Sequence, residues 1–575
     1  MNKYANYLAI LMLAIMFALM FGSSINDSAI FDEVAHIGAG YTYLKYQDGR
    51  LNPEHPPLLK SLAALPLVFL NLKFDQGQQF WTIENVNDRQ WLAGNHLLYE
   101  AGNDADQILF WSRLPMILLT ILFGWILFWW VKRRYGARVG LLTLFFFSVS
   151  PTFLAHGRYV TTDVGAAFGF FLGIIFFLKF LERWDLKSAI WLGIVLGFAL
   201  LLKFSLVLLL PVYLILGVFR IFLGRRKDNP SPQPTPLGGV GNWVGFLSLL
   251  GTLAFSSLIA LAIVCIAYIS QIWNYPHDQQ IKDSRYILAG YQYQSLAKLD
   301  FWLTEHKLTR PLGLYSQGFL MVARRTAGGN TAYFMGEVSS KGWWSYFPTL
   351  AITKEQLGFY ILAAVAIFWA IKKRAKPDFV SLSAIVFIIF YWISSILNPL
   401  NIGVRHVLPT FPFLYFLVAK ELSEIKLNLL TVVIMLWMIV EIILAFPYYL
   451  SYYNALGGGL QNGYKIATDS NHDWGQDLKR LRDYVEKSNI SKINLDYFGG
   501  GSPKYYLGEK YEGWWSSRGA PPAGSYFAVS LNSLTGNQAK PIGDVQIKPE
   551  DTYSWLKNKT PIARGGISIL IFKID

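Results

Sequence analysis

The chain has 575 residues, of which 53% are hydrophobic and only 15% charged, and its repeated apolar runs of roughly 17–25 residues exclude a soluble globule with one core. Its formal net charge is +14, but the basic residues form short clusters between apolar runs, which indicates membrane topology rather than nucleic-acid binding. A single cysteine, Cys265, excludes an intramolecular disulfide and a cysteine-based metal cluster.

Hydropathy predicts about eleven membrane-spanning helices, each of a length that suits the apolar core of a bilayer. They lie near residues 7–25, 107–131, 139–155, 163–181, 188–203, 206–223, 243–270, 356–371, 379–397, 407–420 and 427–447. The first run also fits a cleavable signal peptide, because Lys3 precedes it and small residues follow it. A retained anchor is favoured, since an acidic pair comes directly after the run.

Five basic clusters fall in alternate loops of this arrangement, and short loops rich in Lys and Arg stay in the cytoplasm. The clusters are Lys132–Arg134 with Arg138, Arg183 with Lys187, Arg225–Lys227, Lys372–Arg374 with Lys376, and Lys420 with Lys426. They place the N-terminus inside, and residues 26–106, 271–355 and everything after about 448 outside. The prediction is therefore a multi-pass protein of the plasma (inner) membrane.

Two segments outside the spans have a recognisable character. Residues 58–72 are apolar but too short to cross a membrane, and Pro66 interrupts them, so an interfacial helix is expected there. Residues 229–239 are rich in Pro and Gly and are typical of a cytoplasmic linker.

Beyond Tyr448 the composition becomes that of a soluble protein. The pattern predicts an amphipathic helix over 473–487 and strands over 492–498, 525–531 and 567–572. The expected fold class is thus an α-helical polytopic membrane domain, residues 1–450, followed by a small extracytoplasmic α/β domain, residues 451–575.

Polar residues capable of chemistry gather on the outer face once this topology is applied. They are Asp32, Glu33 and His55 in the first outer loop, His156, Arg158 and Asp163 between the third and fourth spans, Lys203 at the end of the fifth, and Arg405 and His406 before the tenth. The cytoplasmic loops offer basic residues but no comparable mixture of acid, His and Arg. This asymmetry predicts an outward-facing site.

Carboxylates beside Arg and Lys at a membrane boundary suit a lipid-linked phosphate donor. The guanidinium group matches phosphate oxygens with a planar fork, and Lys supplies a point charge. A carboxylate can accept the proton of an attacking hydroxyl or amine as general base, whereas a phosphate leaving group needs only charge neutralisation. The chain has no Gly-rich phosphate loop of the nucleotide-binding type.

Six motifs of the chain match one known family. They are FDE at 31–33, NPEHPPL at 52–58, GRYVTTD at 157–163, YFP at 346–348, GVRHVLP at 403–409 and DSNHDWGQD at 469–477. In these motifs the chain resembles the C-type membrane glycosyltransferase (GT-C) superfamily, nearest its protein O-mannosyltransferase and aminoarabinose-transferase branch.

This resemblance implies the GT-C fold and transfer of a sugar from a polyprenyl-phosphate carrier, with inversion at the anomeric carbon. It implies Asp32 as the general base with Glu33 beside it, Arg158, Lys203 and Arg405 on the donor phosphate, and His55, Asp163 and His406 as orienting residues. The implied partners are the lipid-linked donor, membrane lipid, and a glycolipid, glycan or protein acceptor. A protein acceptor is in doubt, because the second outer loop lacks the large inserted domain of eukaryotic protein mannosyltransferases.

Each of these residues also has a structural interpretation. Asp163 fits an N-cap of the fourth span, Lys203 fits a side chain that snorkels to the surface, and His55 fits the ordering of its own Pro-Pro turn. Arg405 and His406 fit interfacial anchors. No cofactor is assigned, although a divalent ion on Glu33, Asp163 or a nearby His is chemically possible, because oxygen ligands suit Mg²⁺ and Mn²⁺.

Two other functions are compatible with an outward-facing site. A transporter or flippase for a lipid-linked sugar would need polar groups at mid-membrane and paired halves, and the spans show few buried charges and no repeat. A non-catalytic scaffold would present the C-terminal domain to a partner and would leave Asp32 dispensable.

Overall fold

The computed structural model describes residues 3–75, 77–223, 242–426 and 428–575. Up to residue 223 the helices are α1 (Ala5–Ser24), α2 (Phe31–Lys45), α3 (Pro57–Ala64), α4 (Val86–Asn95), α5 (Ala105–Tyr135), α6 (Ala137–Ser148), α7 (Pro151–His156), α8 (Asp163–Arg183), α9 (Leu186–Leu200) and α10 (Leu209–Leu223). The expected linker 229–239 and the basic cluster 225–227 lie outside the described residues.

The second half of the membrane part begins with a long apolar helix. The elements of this second half are α11 (Asn242–Ile272), α12 (His277–Ile287), α13 (Gln294–Glu305), α14 (Arg310–Gly328), β1 (Ala332–Phe334), β2 (Glu337–Ser339), α15 (Tyr346–Lys354), α16 (Leu357–Lys372), α17 (Phe379–Ile396), α18 (Phe411–Leu422), α19 (Leu429–Ala445) and α20 (Gly459–Asn462). Helices α12 to α14 form a compact unit in the predicted second outer loop.

The C-terminal region contains the predicted sheet domain. Its elements are α21 (Leu478–Lys487), β3 (Ile493–Asp496), α22 (Pro503–Leu507), β4 (Tyr511–Gly513), β5 (Tyr526–Ser530), α23 (Leu531–Gln538), β6 (Lys540–Pro541), β7 (Ala563–Gly565) and β8 (Ile569–Lys573). Five strands pair in the order β4-β3-β5-β8-β7. The pairs of β3 with β4 and β5 are parallel, and those of β8 are antiparallel. The predicted α/β character is confirmed.

Six helical segments in the described residues are long and apolar enough to cross a membrane. They are Ala5–Ser24, Ala105–Tyr135, Asp163–Arg183, Phe204–Phe222, Trp243–Ile272 and Phe379–Ile396, and α15 with α16, bent by 103°, would make a seventh. The remaining predicted spans fall on shorter helices such as α6, α9 and α19. The multispanning character is confirmed, but the count of eleven is not.

Helix α2 is fixed against its neighbours by close backbone contacts. A Cβ atom at Gly94 of α4 would lie 2.1 Å from the carbonyl oxygen of Val34, and one at Gly40 would lie 2.2 Å from that of Lys60 in α3. Any side chain at these positions would push the helices apart, because packed interiors do not tolerate added volume. The orientation of α2, which begins with Phe31 and Asp32, is therefore well defined.

A second sheet joins the outer loop to the C-terminal region. Strand β1 pairs antiparallel with β2, and β2 pairs parallel with β6. The amide of Lys540 donates to the carbonyl of Gly336, at 2.8 Å, in the turn between β1 and β2. Residues separated by about two hundred positions thus share one ladder of backbone hydrogen bonds.

Asp300 of α13 gives the outer unit a pH-dependent stability. Ser284 donates to its carboxyl at 2.6 Å, and Ser316 donates as well. Burial raises the pKa of Asp300 to about 6, although the two hydroxyl groups lower it in part. The folded state therefore binds the proton of Asp300 more tightly than the unfolded chain does. The protonated carboxyl stabilises the fold fully below the ordinary pKa of aspartate, and this stabilisation is lost as pH rises through about 6.

Replacing Asp300 with asparagine is expected to remove this pH dependence, which amounts to roughly 1 kcal/mol between about pH 5 and about pH 7.5. Thermal unfolding of the detergent-purified protein at both pH values measures it. The exposed Asp278 of α12 supplies a matched control, since Asp278→Asn should keep the wild-type dependence. An equal fall in Tm with pH for wild type and Asp300→Asn would contradict the prediction.

Candidate active site

A cavity of about 390 Å³ lies against the first turns of α2 and α8. Its charged and imidazole lining consists of Asp32, His36, Glu54, His55, Asp163, Lys203, Arg325, Arg405 and His406. Its apolar lining includes Phe204, Val207, Leu208, Phe319, Val322 and Leu400. The cavity lining therefore combines a charged set of side chains, here called the ionic wall, with an apolar set, here called the apolar wall.

Four side chains of alternating charge form a row along the ionic wall. Arg405 Nη1 lies 2.9 Å from Asp32 Oδ2 and 3.4 Å from Asp163 Oδ2. Lys203 Nζ lies 2.7 Å from Asp163 Oδ1. The structure thus brings together four residues that the sequence analysis selected from four distant segments.

The two carboxylates of this row differ in access. The side chain of Asp163 is 2% exposed and lies between two cations, whereas that of Asp32 is 25% exposed. Asp163 is also the first residue of α8, where a negative charge stabilises the helix N-terminus. Asp163 is placed to orient Lys203 and Arg405, and Asp32 is the carboxylate that a ligand can reach.

Three histidines, His36, His55 and His406, line the cavity. His36 Nδ1 lies 2.7 Å from the carbonyl oxygen of Val160, and its ring meets that of His55 edge-on at 5.1 Å. Burial lowers the pKa of His36, His55 and His406 below the ordinary value. The lowered pKa values favour neutral imidazoles, which can orient a ligand by hydrogen bonds.

Glu33 points away from the cavity, although it follows Asp32 directly. Its carboxylate forms a bidentate pair with Arg113 of α5, at 2.9 Å to Nε and 2.7 Å to Nη2. It also accepts the amides of Ile30 at 3.0 Å and Val160 at 3.1 Å. The expected place of Glu33 beside the catalytic base is therefore corrected: this fully buried residue fastens the start of α2 to α5.

Arg158 also lies outside the cavity lining. Its side chain is 1% exposed and pairs with Asp27 at 3.0 Å, and its Nη1 donates to the carbonyl of Pro447 at 3.2 Å. Burial alone would raise the pKa of Asp27, but Arg158, Arg480 and Arg113 together lower it. In this geometry Arg158 cannot make the predicted contact with a donor phosphate in the cavity.

Three charged or imidazole residues of the cavity lining, His36, Glu54 and Arg325, were not selected as site residues from the sequence. Arg325 of α14 lies 3.1 Å from Glu54 of the first outer loop, and His36 lies one helical turn after Asp32 on α2. The spacing of four residues placed His36 on the face of Asp32, which was an available signal. Arg325 offered none, because the outer unit that carries it matches no motif.

The described lining of the cavity contains carboxylates and imidazoles, which are possible ligands for a divalent ion. In the parts of the chain that the structure describes, no three His, Cys, Asp or Glu side chains converge as a metal site requires. The two carboxylates considered from sequence are engaged elsewhere, Glu33 by Arg113 and Asp163 by two cations. The cationic side chains that line this cavity are Lys203, Arg325 and Arg405.

Comparisons with solved structures give distant likenesses, which cover between 47% and 98% of this chain. ArnT from Cupriavidus metallidurans bound to undecaprenyl phosphate is 13% identical, with 98% of this chain and 97% of that chain covered and a TM-score of 0.47. The Archaeoglobus fulgidus oligosaccharyltransferase AglB, in complex with an inhibitory peptide and a dolichol-phosphate, is 12% identical, with 93% and 71% covered and a TM-score of 0.47. The S. cerevisiae Pmt1-Pmt2 complex bound to the sugar donor is 18% identical, with 47% and 34% covered and a TM-score of 0.33.

The sequence itself matches a family over part of its length. Residues 105–236 match the family described as dolichyl-phosphate-mannose-protein mannosyltransferase, and no curated protein matches significantly. The matched segment contains Arg158, Asp163 and Lys203 of the selected residues. The chain is thus similar to this mannosyltransferase family over residues 105–236, which is 132 of its 575 residues.

Proposed function

We propose that this protein transfers a sugar from a polyprenyl-phosphate carrier to an acceptor at the extracytoplasmic face of the membrane. One observation carries the proposal: Asp32, Arg405, Asp163 and Lys203 form a row of alternating charge in a cavity whose other wall is apolar. Such a transfer requires cations that bind the donor phosphate and, beside them, one carboxylate that the acceptor can reach.

The donor lies with its phosphate on the cations and its lipid on the apolar wall. Arg405 and Lys203 stand on either side of Asp163, and Arg325 lines the same cavity. The phosphate oxygens take the place of water at these groups, with Arg405 offering a planar fork. The prenyl chain lies along Phe204, Val207 and neighbouring apolar residues, which removes its surface from water.

The transfer is a single displacement in which charge and protons balance. An acceptor hydroxyl or amine attacks the anomeric carbon and passes its proton to Asp32, while the bond from that carbon to the phosphate oxygen breaks. The polyprenyl phosphate leaves with the electron pair, and Lys203 and Arg405 stabilise the added negative charge. Asp163 is held between two cations, so one carboxylate acts, and the anomeric configuration inverts.

The sidedness follows from the distribution of basic clusters. Short Lys- and Arg-rich loops favour a cytoplasmic N-terminus, which puts the first outer loop, the cavity and the C-terminal domain on the extracytoplasmic side. The acceptor is a glycolipid, a glycan or a protein that reaches the site from that side. A lipid-linked donor suits this location, because nucleotide-sugar donors are cytoplasmic.

Mass spectrometry of envelope glycans and glycolipids from a deletion strain tests the proposal. One sugar should be missing from one acceptor, and the wild-type gene should restore it, whereas a gene encoding Asp32→Asn should not. An unchanged glycan profile would contradict transfer. Movement of a lipid-linked sugar across proteoliposomes without any covalent product would instead establish a transporter.

Lys203 offers a second test of the donor site. Lys203→Met keeps most of the length of the side chain but removes its charge, and a hydrogen bond to a charged group contributes about 1.5–3 kcal/mol. The KM for the polyprenyl-phosphate donor is expected to rise roughly ten- to hundredfold, as measured from initial rates with purified protein. Lys298→Met in the exposed outer unit is the matched control, and equal KM values for the two variants would remove Lys203 from the donor site.

A further inference from the structure

The segment from Asp469 to Asp477 lies behind the ionic wall of the cavity, and no step proposed above uses it. It precedes α21 of the C-terminal domain, more than sixty residues beyond Arg405. Its central residues are buried. We infer that this segment, the 469–477 segment, is a positioning element that holds Arg405 and Asp32 together in working geometry, an inference that rests on the proposed function.

Trp474 supports the guanidinium of Arg405 directly. The guanidinium carbon lies 4.2 Å from the centre of the Trp474 ring, and Trp474 is 1% exposed. A desolvated cation over an indole face is attracted by the ring electrons. Arg405 is thus held from one side by an aromatic face and from the other by Asp32 and Asp163, which fixes the direction of its fork.

The same segment fixes the backbone that carries Arg405. Asn471 Oδ1 accepts the amide of Val404 at 2.9 Å, and Ser470 Oγ donates to the carbonyl of Ile402 at 2.5 Å. Gly403, between them, has a φ of 133°, and a Cβ there would lie 2.2 Å from Ser470 Oγ. The turn before Arg405 can be this close to the 469–477 segment because residue 403 is glycine.

The start of α2 is bound to the other end of the segment. The amide of Phe31, next to Asp32, donates to the carbonyl of Trp474 at 3.0 Å, and the amide of Ser28 donates to that of Gln476 at 3.0 Å. Ser28 Oγ also donates to the carbonyl of Gly475 at 2.7 Å. Both ends of the ion pair between Asp32 and Arg405 are therefore attached to one piece of chain.

Two further sets of hydrogen bonds hold the 469–477 segment itself in place. The buried ammonium group of Lys354 donates a hydrogen bond to the carbonyl of Asn471, at 2.6 Å. It also donates to the carbonyls of Leu450 and Tyr452. On the opposite side, the amide of Asn532, at the start of α23, donates to Asp473 at 2.9 Å. The rigidity of the folded C-terminal domain is transmitted to the site through these contacts.

The test compares Trp474→Phe, which keeps an aromatic face under Arg405, with Trp474→Leu, which does not. Trp474→Leu is expected to lower kcat/KM for the donor roughly tenfold or more, with most of that activity kept by Trp474→Phe. In an Arg405→Lys background Trp474→Leu should add less than about a threefold loss, because coupled residues are not additive. Trp515→Leu is the matched control: this exposed ring stacks on Arg518 in the same domain, at 4.9 Å.

A second measurement needs no sugar transfer. Hydrogen exchange followed by mass spectrometry should show faster exchange of residues 402–406 in Asn471→Ala and Trp474→Leu, and unchanged exchange in Trp515→Leu. If the wild type transfers no sugar and this change appears, the 469–477 segment still holds residues 402–406 in place, and the proposed function alone falls. If the wild type is active while the Trp474 and Arg405 losses multiply, or exchange stays as in wild type, the inference is overturned and the proposed function is untouched.

Discussion

Asp32→Asn is expected to reduce kcat roughly 10²- to 10⁴-fold, the usual contribution of a general base. The amide keeps the shape of the carboxylate but cannot take up the proton of the acceptor. The KM for the donor is expected to change little, because Lys203 and Arg405 remain on Asp163. Initial rates with purified protein and a polyprenyl-phosphate sugar provide the measurement.

The Tm of the Asp32→Asn protein should stay close to that of the wild type, since this side chain is 25% exposed. Asp278→Asn, the exposed substitution in α12, controls for the chemical change itself and should leave kcat unaltered. A variant at position 32 that folds and still transfers sugar at the wild-type rate would rule out Asp32 as the base.

Glu33→Gln is expected to have the opposite signature, a loss of stability of about 3–5 kcal/mol, as when one partner of a buried ion pair is removed. The guanidinium of Arg113 would remain buried without the carboxylate that it pairs with, and the side-chain exposures of the pair are 3% and 0%. A lower Tm and a lower yield of monodisperse protein in detergent would show the effect.

The surface pair of Arg285 and Glu305 supplies the control for this experiment. Their side chains are 63% and 40% exposed, and such pairs contribute about 0–1 kcal/mol. Glu305→Gln should therefore leave the Tm almost unchanged. If Glu33→Gln behaved like Glu305→Gln and lost transfer activity alone, Glu33 would belong to the chemistry instead of the scaffold.

The contrast between Asp32 and Glu33 shows what a sequence motif can and cannot specify. The topology predicted that Asp32, Asp163, Lys203 and Arg405 would share one face, and the structure places them within 3.4 Å of one another along the row. Adjacent residues on a helix point about 100° apart, since a turn holds 3.6 residues. A motif that names both acids therefore does not say which of them faces the cavity.

Arg158 illustrates a second limit. Its nearest acid in the sequence is Asp163, which suggested a shared site, but its partner is Asp27, from the link between α1 and α2. Pairing over such a distance depends on how the helices pack, and hydropathy carries no information about that. Arg325 was overlooked for the same reason, because its approach to Glu54 is set by the packing of the outer unit.

The division of the chain near residue 450 was drawn on composition, yet the parallel ladder between β2 and β6 crosses it. An excised C-terminal fragment would leave β6 without its neighbour and expose backbone groups that now pair. The pairing of β2 with β6 also constrains how the two parts of the chain are inherited. Recombination that exchanges this region between distant relatives would have to exchange the hairpin of β1 and β2 with it, so the two pieces are expected to be passed on jointly rather than shuffled as separate modules.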